Sequence, residues 1–305
     1  MKRKILSISF MLIFCLTSMF IFSACGENKE KEVIDVRALS EETLNVALDD
    51  LKQTESIKMS LTAPFNVAEF LIISTENNSY MKLKLANVGE FADTMTTTTW
   101  TKFEHDAYAT YSHFYMQKDD LVDDYGTKTV SLKKDHFLDN IYMQSIFGAL
   151  DFENFLEASI SNETTTIVFS KDDAKFTAKI VGNKFKSVTI NQNLLSLTLN
   201  CYYGDYLHEI PTVIHKDWQV ESKIEIPNIK TQYSIGEELS LVGLKFNLYE
   251  STSSYNYVEI AIAEEILNKI TLEDFNTATI TETDKPRKMK ITYLGLELVV
   301  EYTVV

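Results

Sequence analysis

The sequence predicts an α+β unit of antiparallel strands with helices, followed by an all-β sandwich. Three observations carry this. Apolar residues alternate with polar ones in 56–62 and 80–86, and four further strand-like segments arrive about every ten residues across 164–203. Helical spacing interrupts them at 40–51 and 135–150. Three of the four prolines lie beyond residue 210, and Pro211 and Pro227 bracket a stretch where one unit gives way to the next. A length of 305 residues accommodates two domains of ordinary size.

The chain opens on a positive segment, Met1-Lys2-Arg3-Lys4, then an apolar run from Ile5 to Phe22, then Phe22-Ser23-Ala24-Cys25-Gly26. Small residues before a cut site mark a secretory signal. The Ala-Cys junction resembles a bacterial lipoprotein signal, with Phe22 in place of the usual Leu. That resemblance implies cleavage after Ala24 and a diacylglyceryl thioether on Cys25, with acyl chains such as palmitate. Two acyl chains hold a protein on a bilayer where one holds only marginally. The expected location is therefore the extracytoplasmic face of the cell membrane, lipid-anchored. Residues 1–24 are read as signal peptide. Residues 25–39 are charged and without aromatics, and read as a flexible tether.

Ser40–Leu51 carries Leu44, Ala47, Leu48 and Leu51 on one helical stripe, with Ser40 as the expected N-cap. Strands are expected at 56–62, 80–86 and 107–115, the last from its aromatics Tyr108, Tyr111, Phe114 and Tyr115. The threonine run from Thr94 to Thr99 reads as an extended edge strand. Leu138, Ile141, Tyr142, Ile146 and Ala149 recur at helical spacing, and Asp151 can cap a second short helix holding Phe152, Phe155 and Leu156. Strands resume at 164–170, 175–181, 184–190 and 194–203, with Val181-Gly182-Asn183-Lys184 as a hairpin signal. Beyond the boundary, strands are expected at 223–226, 238–242, 244–249, 258–262, 267–271, 278–282, 289–293 and 296–305.

The C-terminal unit resembles bacterial immunoglobulin-like domains of Gram-positive surface proteins. The matching residues are Tyr233-Ser234-Ile235-Gly236-Glu237, Leu241-Val242-Gly243-Leu244-Lys245-Phe246 and Lys290-Ile291-Thr292-Tyr293-Leu294-Gly295. The usual short Asp-Gly turn is replaced by Ser251-Thr252-Ser253-Ser254-Tyr255-Asn256. The resemblance implies a spacer or interaction module and supplies no catalytic residue. The N-terminal unit is similar in element order to LolA-like lipoprotein carriers and mycobacterial lipid-binding lipoproteins, ending on Ile210-Pro211. This resemblance implies a curved antiparallel half-barrel with helices over 40–218, with an immunoglobulin-like β-sandwich over 219–305.

Charge and motifs restrict function. The formal charge is −15, and loss of Lys2, Arg3 and Lys4 with the signal deepens it to −18. Nucleic acid is not an expected partner, because phosphate binding needs a basic face. Arg3, Arg37 and Arg287 are the only arginines. Cys15 leaves with the signal, and Cys201 sits on an apolar alternation with Leu197, Leu199 and Tyr203, the setting of an inert core thiol. His105, His113, His136, His208 and His215 show no zinc spacing, and the acids of Asp119–Asp124 do not fit an EF-hand. No metal and no cofactor are expected, and no familiar catalytic motif marks an enzyme. Methionine and aromatics adapt to apolar ligands, and the set Met59, Met81, Met95, Trp100, Phe103, Tyr108, Tyr111, Phe114, Met116 and Met143 reads either as ordinary core or as partial cavity lining, with Met59, Met81, Tyr108, Tyr111, Phe114 and Met143 the candidates for the cavity. Two functions stay open: a lipoprotein that holds a lipid or other hydrophobic ligand, or a non-catalytic spacer or envelope-assembly protein that docks another envelope protein.

Overall fold

The structure is a computed structural model that describes residues 33–305 except 65–66, 89–91, 194, 215–216, 252–254 and 283–284. The signal segment, Cys25, the tether before residue 33 and His215 lie outside the described residues.

The fold is mostly β, with few helices and one large curved sheet. That sheet has twelve strands. They are β1 (Ile57–Thr62), β2 (Ala68–Ser74), β3 (Asn78–Val88), β4 (Ala92–Glu104), β5 (Ala107–Lys118), β6 (Leu121–Ser131), β7 (Phe155–Ser161), β8 (Thr164–Lys171), β9 (Ala174–Val181), β10 (Lys184–Gln192), β11 (Leu195–Tyr203) and β12 (Gln219–Val220). Their order is β12-β6-β5-β4-β3-β2-β1-β11-β10-β9-β8-β7. Two meanders, β1–β6 and β7–β11, join where β1 pairs antiparallel with β11. Turns His105–Asp106, Asn162–Glu163 and Asp172–Asp173 put both residues at positive φ, as two-residue hairpins of the right twist require.

The first helix, α1 (Val33–Gln53), lies over β7 to β10. It corrects the expectation of a start at Ser40: the helix includes residues 33–39, and Ser40 is buried inside it rather than capping it. The reason is spacing. Ser40 falls four residues before Leu44 and joins Leu44, Ala47 and Leu51 on the buried face, where a small side chain fits against the sheet. Between β6 and β7 come a 3-10 turn (Phe137–Asp139), the short helix α2 (Ile141–Phe147) and a 3-10 turn (Phe152–Asn154). Asn140 Oδ1 accepts from Tyr142 N at 2.9 Å and caps α2, and Asp151 accepts from Glu153 N at 3.0 Å. The expected second helix is only that last turn: Phe155 and Leu156 already belong to β7.

One core fills the space between α1, α2 and the sheet, from Leu44, Leu51 and Met143 to Phe70, Leu83, Phe169 and Leu199. The opposite face of the sheet has its own cluster. A cross-strand row, Ile73, Tyr80, Trp100 and Tyr111, is covered by Tyr206, Ile210, Val213 and Trp218 of the segment after β11. That segment crosses the sheet as a strap. Lys58 pairs with Glu209 and lies over the Tyr206 ring, and β12 then adds in parallel to β6 at Thr127 and Lys128.

The C-terminal sandwich has two small sheets. One is β13 (Lys223–Glu225), β15 (Lys245–Tyr249) and β16 (Val258–Ala261); the other is β14 (Gln232–Tyr233), β19 (Leu296–Val304), β18 (Arg287–Tyr293) and β17 (Thr271–Glu273). A short helix, α3 (Glu264–Leu267), replaces the start of the strand expected at 267–271, and residues 238–242 and 278–282 are irregular rather than strands. Phe246, Met289, Ile291 and Tyr302 form the core, and Ala107 and Val130 of the large sheet belong to it. Ser222 Oγ sits at this junction. It accepts from Val130 N at 2.6 Å and donates to Glu250 O at 2.7 Å. Lys269 pairs with Asp106 at 2.9 Å, and the His105 ring edge comes within 3.0 Å of where a Cβ at Gly295 would stand, a position whose φ of 70° also favours glycine.

Candidate functional site

Alternation along the strands puts Met59, Met81, Tyr108 and Phe114 on the face that carries α1 and α2. Met143 reaches the same layer from α2. Met59 and Met143 are 0 % exposed inside the filled core. Met81 is half-buried at the edge of that core, and its Sδ accepts from Asn140 Nδ2 at 3.0 Å. Tyr111 points to the other face, under the strap. Its ring stands 5.4 Å from Trp218, and its OH donates to Glu104 Oε1 at 2.6 Å. Lys128 Nζ also reaches Glu104, at 3.2 Å. Burial raises the Glu104 carboxyl, but these two hydrogen bonds outweigh it and hold the pKa below its usual value.

The helix-side face divides in two. From β7 to β3 it is covered, and the core ends at Leu83 with Met81 and Leu85 beside it. On β4, β5 and β6 the same face carries side chains that belong to no buried cluster among the described residues. Four of its cross-strand rows are Met95 with Met116 and Asp123, then Thr97 with Phe114 and Tyr125, then Thr99 with Ser112 and Thr127, then Thr101 with Thr110 and Thr129. Phe103 and Tyr108 close the far end. The Phe114 and Tyr125 rings lie 5.1 Å apart, as do Phe103 and Tyr108. Thr101 and Thr110 share a hydroxyl hydrogen bond of 3.1 Å. The surface is therefore methionine-lined at one end, where Asp123 and the Lys118–Asp93 pair border it, hydroxyl-lined in the middle and aromatic at the other end. The expectation of an edge strand for the threonine run is corrected here, because β4 lies between β3 and β5. Its threonines suit a strand whose inner face meets no helix.

Met95 and Met116, members of the methionine and aromatic set, belong to this surface, and so does Tyr125, which the sequence alone did not nominate. Their common signal is the register, which depends on pairing between strands. The acids of 119–124 divide between a hairpin tip and a strand. Only Asp119 and Asp120 form a turn, and Asp123 and Asp124 lie on β6, with His113 Nε2 2.7 Å from Asp124 Oδ1. Among the described residues no group of three or more ligating side chains could hold a metal. A shallow groove of about 190 Å³ lies elsewhere, against Glu157, Ser159, Thr166 and Val168 of β7 and β8.

Cys201 pairs with Met59 across the sheet, and it is 7 % exposed. Burial pushes its thiol up to about 12, so the thiolate needed for nucleophilic attack is absent near neutral pH. Native mature protein at pH 8 should leave Cys201 unmodified by a maleimide and take up one equivalent there in denaturant. Fast native labelling would show that this part of the core opens.

No family model matches the chain, and no curated protein matches it. Among solved structures, LprF from Mycobacterium bovis aligns over 59% of this chain and 97% of its own length, at 10% identity and a TM-score of 0.25. A Helicobacter pylori beta clamp bound to a DNA ligase peptide aligns over 89% of this chain and 98% of its own, at 9% identity and a TM-score of 0.12. Scores this low carry no argument about this chain. Among the described residues no helix is long and apolar enough to cross a membrane.

Proposed function

We propose that this chain is a lipoprotein held on the extracytoplasmic face of the cell membrane through acylated Cys25, and that its half-barrel holds a lipid or other hydrophobic ligand. In this reading 1–24 is signal peptide, the half-barrel expected over 40–218 extends to α1 at Val33 and to β12 at Val220, and the immunoglobulin-like sandwich follows to 305. The single observation behind the ligand is the uncovered inner face of β4–β6, continuous with the core at Leu85 and carrying Met95, Met116, Phe114 and Tyr125. Covering apolar area there is worth roughly 25 cal/mol per Å². Phe114 is the central apolar group, and its charged replacement places an unpaired carboxylate in the contact.

The test uses delipidated full-length mature protein and a fluorescent fatty acid. Wild type should bind it, and Phe114→Asp should weaken binding about tenfold, equal to ~1.4 kcal/mol. Lack of uptake by wild type, or equal uptake by the variant, would end this reading.

A second reading is a non-catalytic spacer or envelope-assembly protein. It is favoured by the filled core around Met59 and Met143 and by the buried junction at Ser222, which joins sheet and sandwich. The groove at β7–β8 is also smaller than ligand pockets of about 300–1,000 Å³. Fatty-acid uptake separates the two readings.

A further inference from the structure

Two observations orient the half-barrel. The first is where the chain enters it. Helix α1 runs against the sheet from its N-terminal turn, where the Arg37 guanidinium lies 5.1 Å from the Phe155 ring centre, to Gln53, just before β1. Phe155 opens β7 and pairs with Phe169 near the end of β8. The rim at that end also holds the β8–β9 turn at Asp172–Asp173, the β5–β6 turn at Asp119–Asp120, the end of β1 and the start of β4. Only residues 26–32 separate Cys25 from the helix, and the eight steps from Cys25 to Val33 span at most about 29 Å when fully extended. An acyl anchor on Cys25 therefore keeps this rim close to the bilayer.

The second observation is independent of the first. On the uncovered face the methionine row lies nearer this rim than the hydroxyl rows do. That row is Leu85, Met95 and Met116, continued by Asp123 on β6; the Lys118–Asp93 ion pair, at 3.6 Å, and Leu121 stand between it and the rim, while the hydroxyl rows and the Phe103–Tyr108 pair lie farther away. Leu121 and Val122, at the start of β6 on this rim, are 77 % and 54 % exposed. The opposite rim is occupied. Its β4–β5 turn, His105–Asp106, packs against Gly295 and pairs with Lys269 of the sandwich. The twelve residues of β5 set the two rims about 40 Å apart.

We infer that the rim holding Leu121 and the β8–β9 turn is the membrane-facing surface, so that the methionine-lined end of the uncovered face opens toward the bilayer and the sandwich stands away from it. This rests on acylation of Cys25, the reading given above. The rim carries Asp119, Asp120, Asp172 and Asp173, so its contact comes from the anchor and exposed apolar groups, not from attraction to anionic lipid.

The test uses the full mature acylated chain in phosphatidylcholine vesicles that carry a spin-labelled headgroup lipid. Cys25 is blocked by its lipid and Cys201 is buried, so Leu121→Cys and Ile280→Cys each accept one fluorophore. Ile280 is exposed in the sandwich, beside the Val304 end of β19. The label at 121 should lose most of its fluorescence, and the label at 280 should keep it. Equal quenching, or stronger quenching at 280, overturns the orientation while leaving acylation intact. Mass spectrometry of the Cys25 peptide reads acylation separately, and an unmodified Cys25 overturns the lipoprotein reading together with the orientation.

Discussion

Phe169→Ala should destabilise the protein by about 3–5 kcal/mol, the cost of removing a phenyl ring from a packed core. Phe169 is 0 % exposed on β8, and Phe152 meets its ring edge-on at 5.8 Å. It also contributes to the layer that α1 and α2 cover. Phe152 also stacks on Phe155 at 5.0 Å, so the two rings hold the 3-10 turn against the sheet. Urea unfolding followed by far-ultraviolet dichroism measures the loss as a drop in midpoint at constant slope. A loss below about 1 kcal/mol would mean that the sheet and helices are not packed as described.

Trp218→Ala should cost about 2–3 kcal/mol, less than a fully buried tryptophan because Trp218 is only partly covered. Its ring meets Tyr111 at 5.4 Å and Trp100 at 6.5 Å, and it is the last large contact of the strap before β12. The chain has two tryptophans, so fluorescence of the variant reports Trp100 alone. Trp100 is buried in the native protein and its Nε1 has no hydrogen-bond partner among the described residues. Loss of its cover should admit water to that indole and shift its emission to longer wavelength. Unchanged stability with unshifted emission would show that the strap does not hold this face.

Several elements were legible because their signal is local. The alternation of Met81, Leu83 and Leu85 predicted β3, and Val181-Gly182-Asn183-Lys184 predicted the hairpin that pairs Val181 with Lys184. β2 carries no such pattern. Phe70, Leu71, Ile72 and Ile73 are consecutive apolar residues because both faces of the strand are covered: Phe70 and Ile72 face the helices, and Leu71 and Ile73 face the strap. Phe155 and Leu156 read as helix because a short apolar pair has no period of its own. The candidate site was legible by residue type more than by position. Methionine and aromatics were recognised as its material, but Tyr111 turned to the opposite face and Met59 and Met143 went into the core.

The sequence by itself determined that the chain has an α+β part and an all-β part, where most strands of the first part lie, and that Cys201 sits on an apolar strand face. These follow from period, composition and turn chemistry, which act over a few residues. Only the tertiary structure decided that β1 pairs with β11, that α1 covers β7–β10 and leaves β4–β6 open, and that the segment around Trp218 crosses the outer face instead of linking two free domains. These choices join residues more than a hundred positions apart. Their free energy comes from burying one apolar face against another, and no local pattern records which faces will meet.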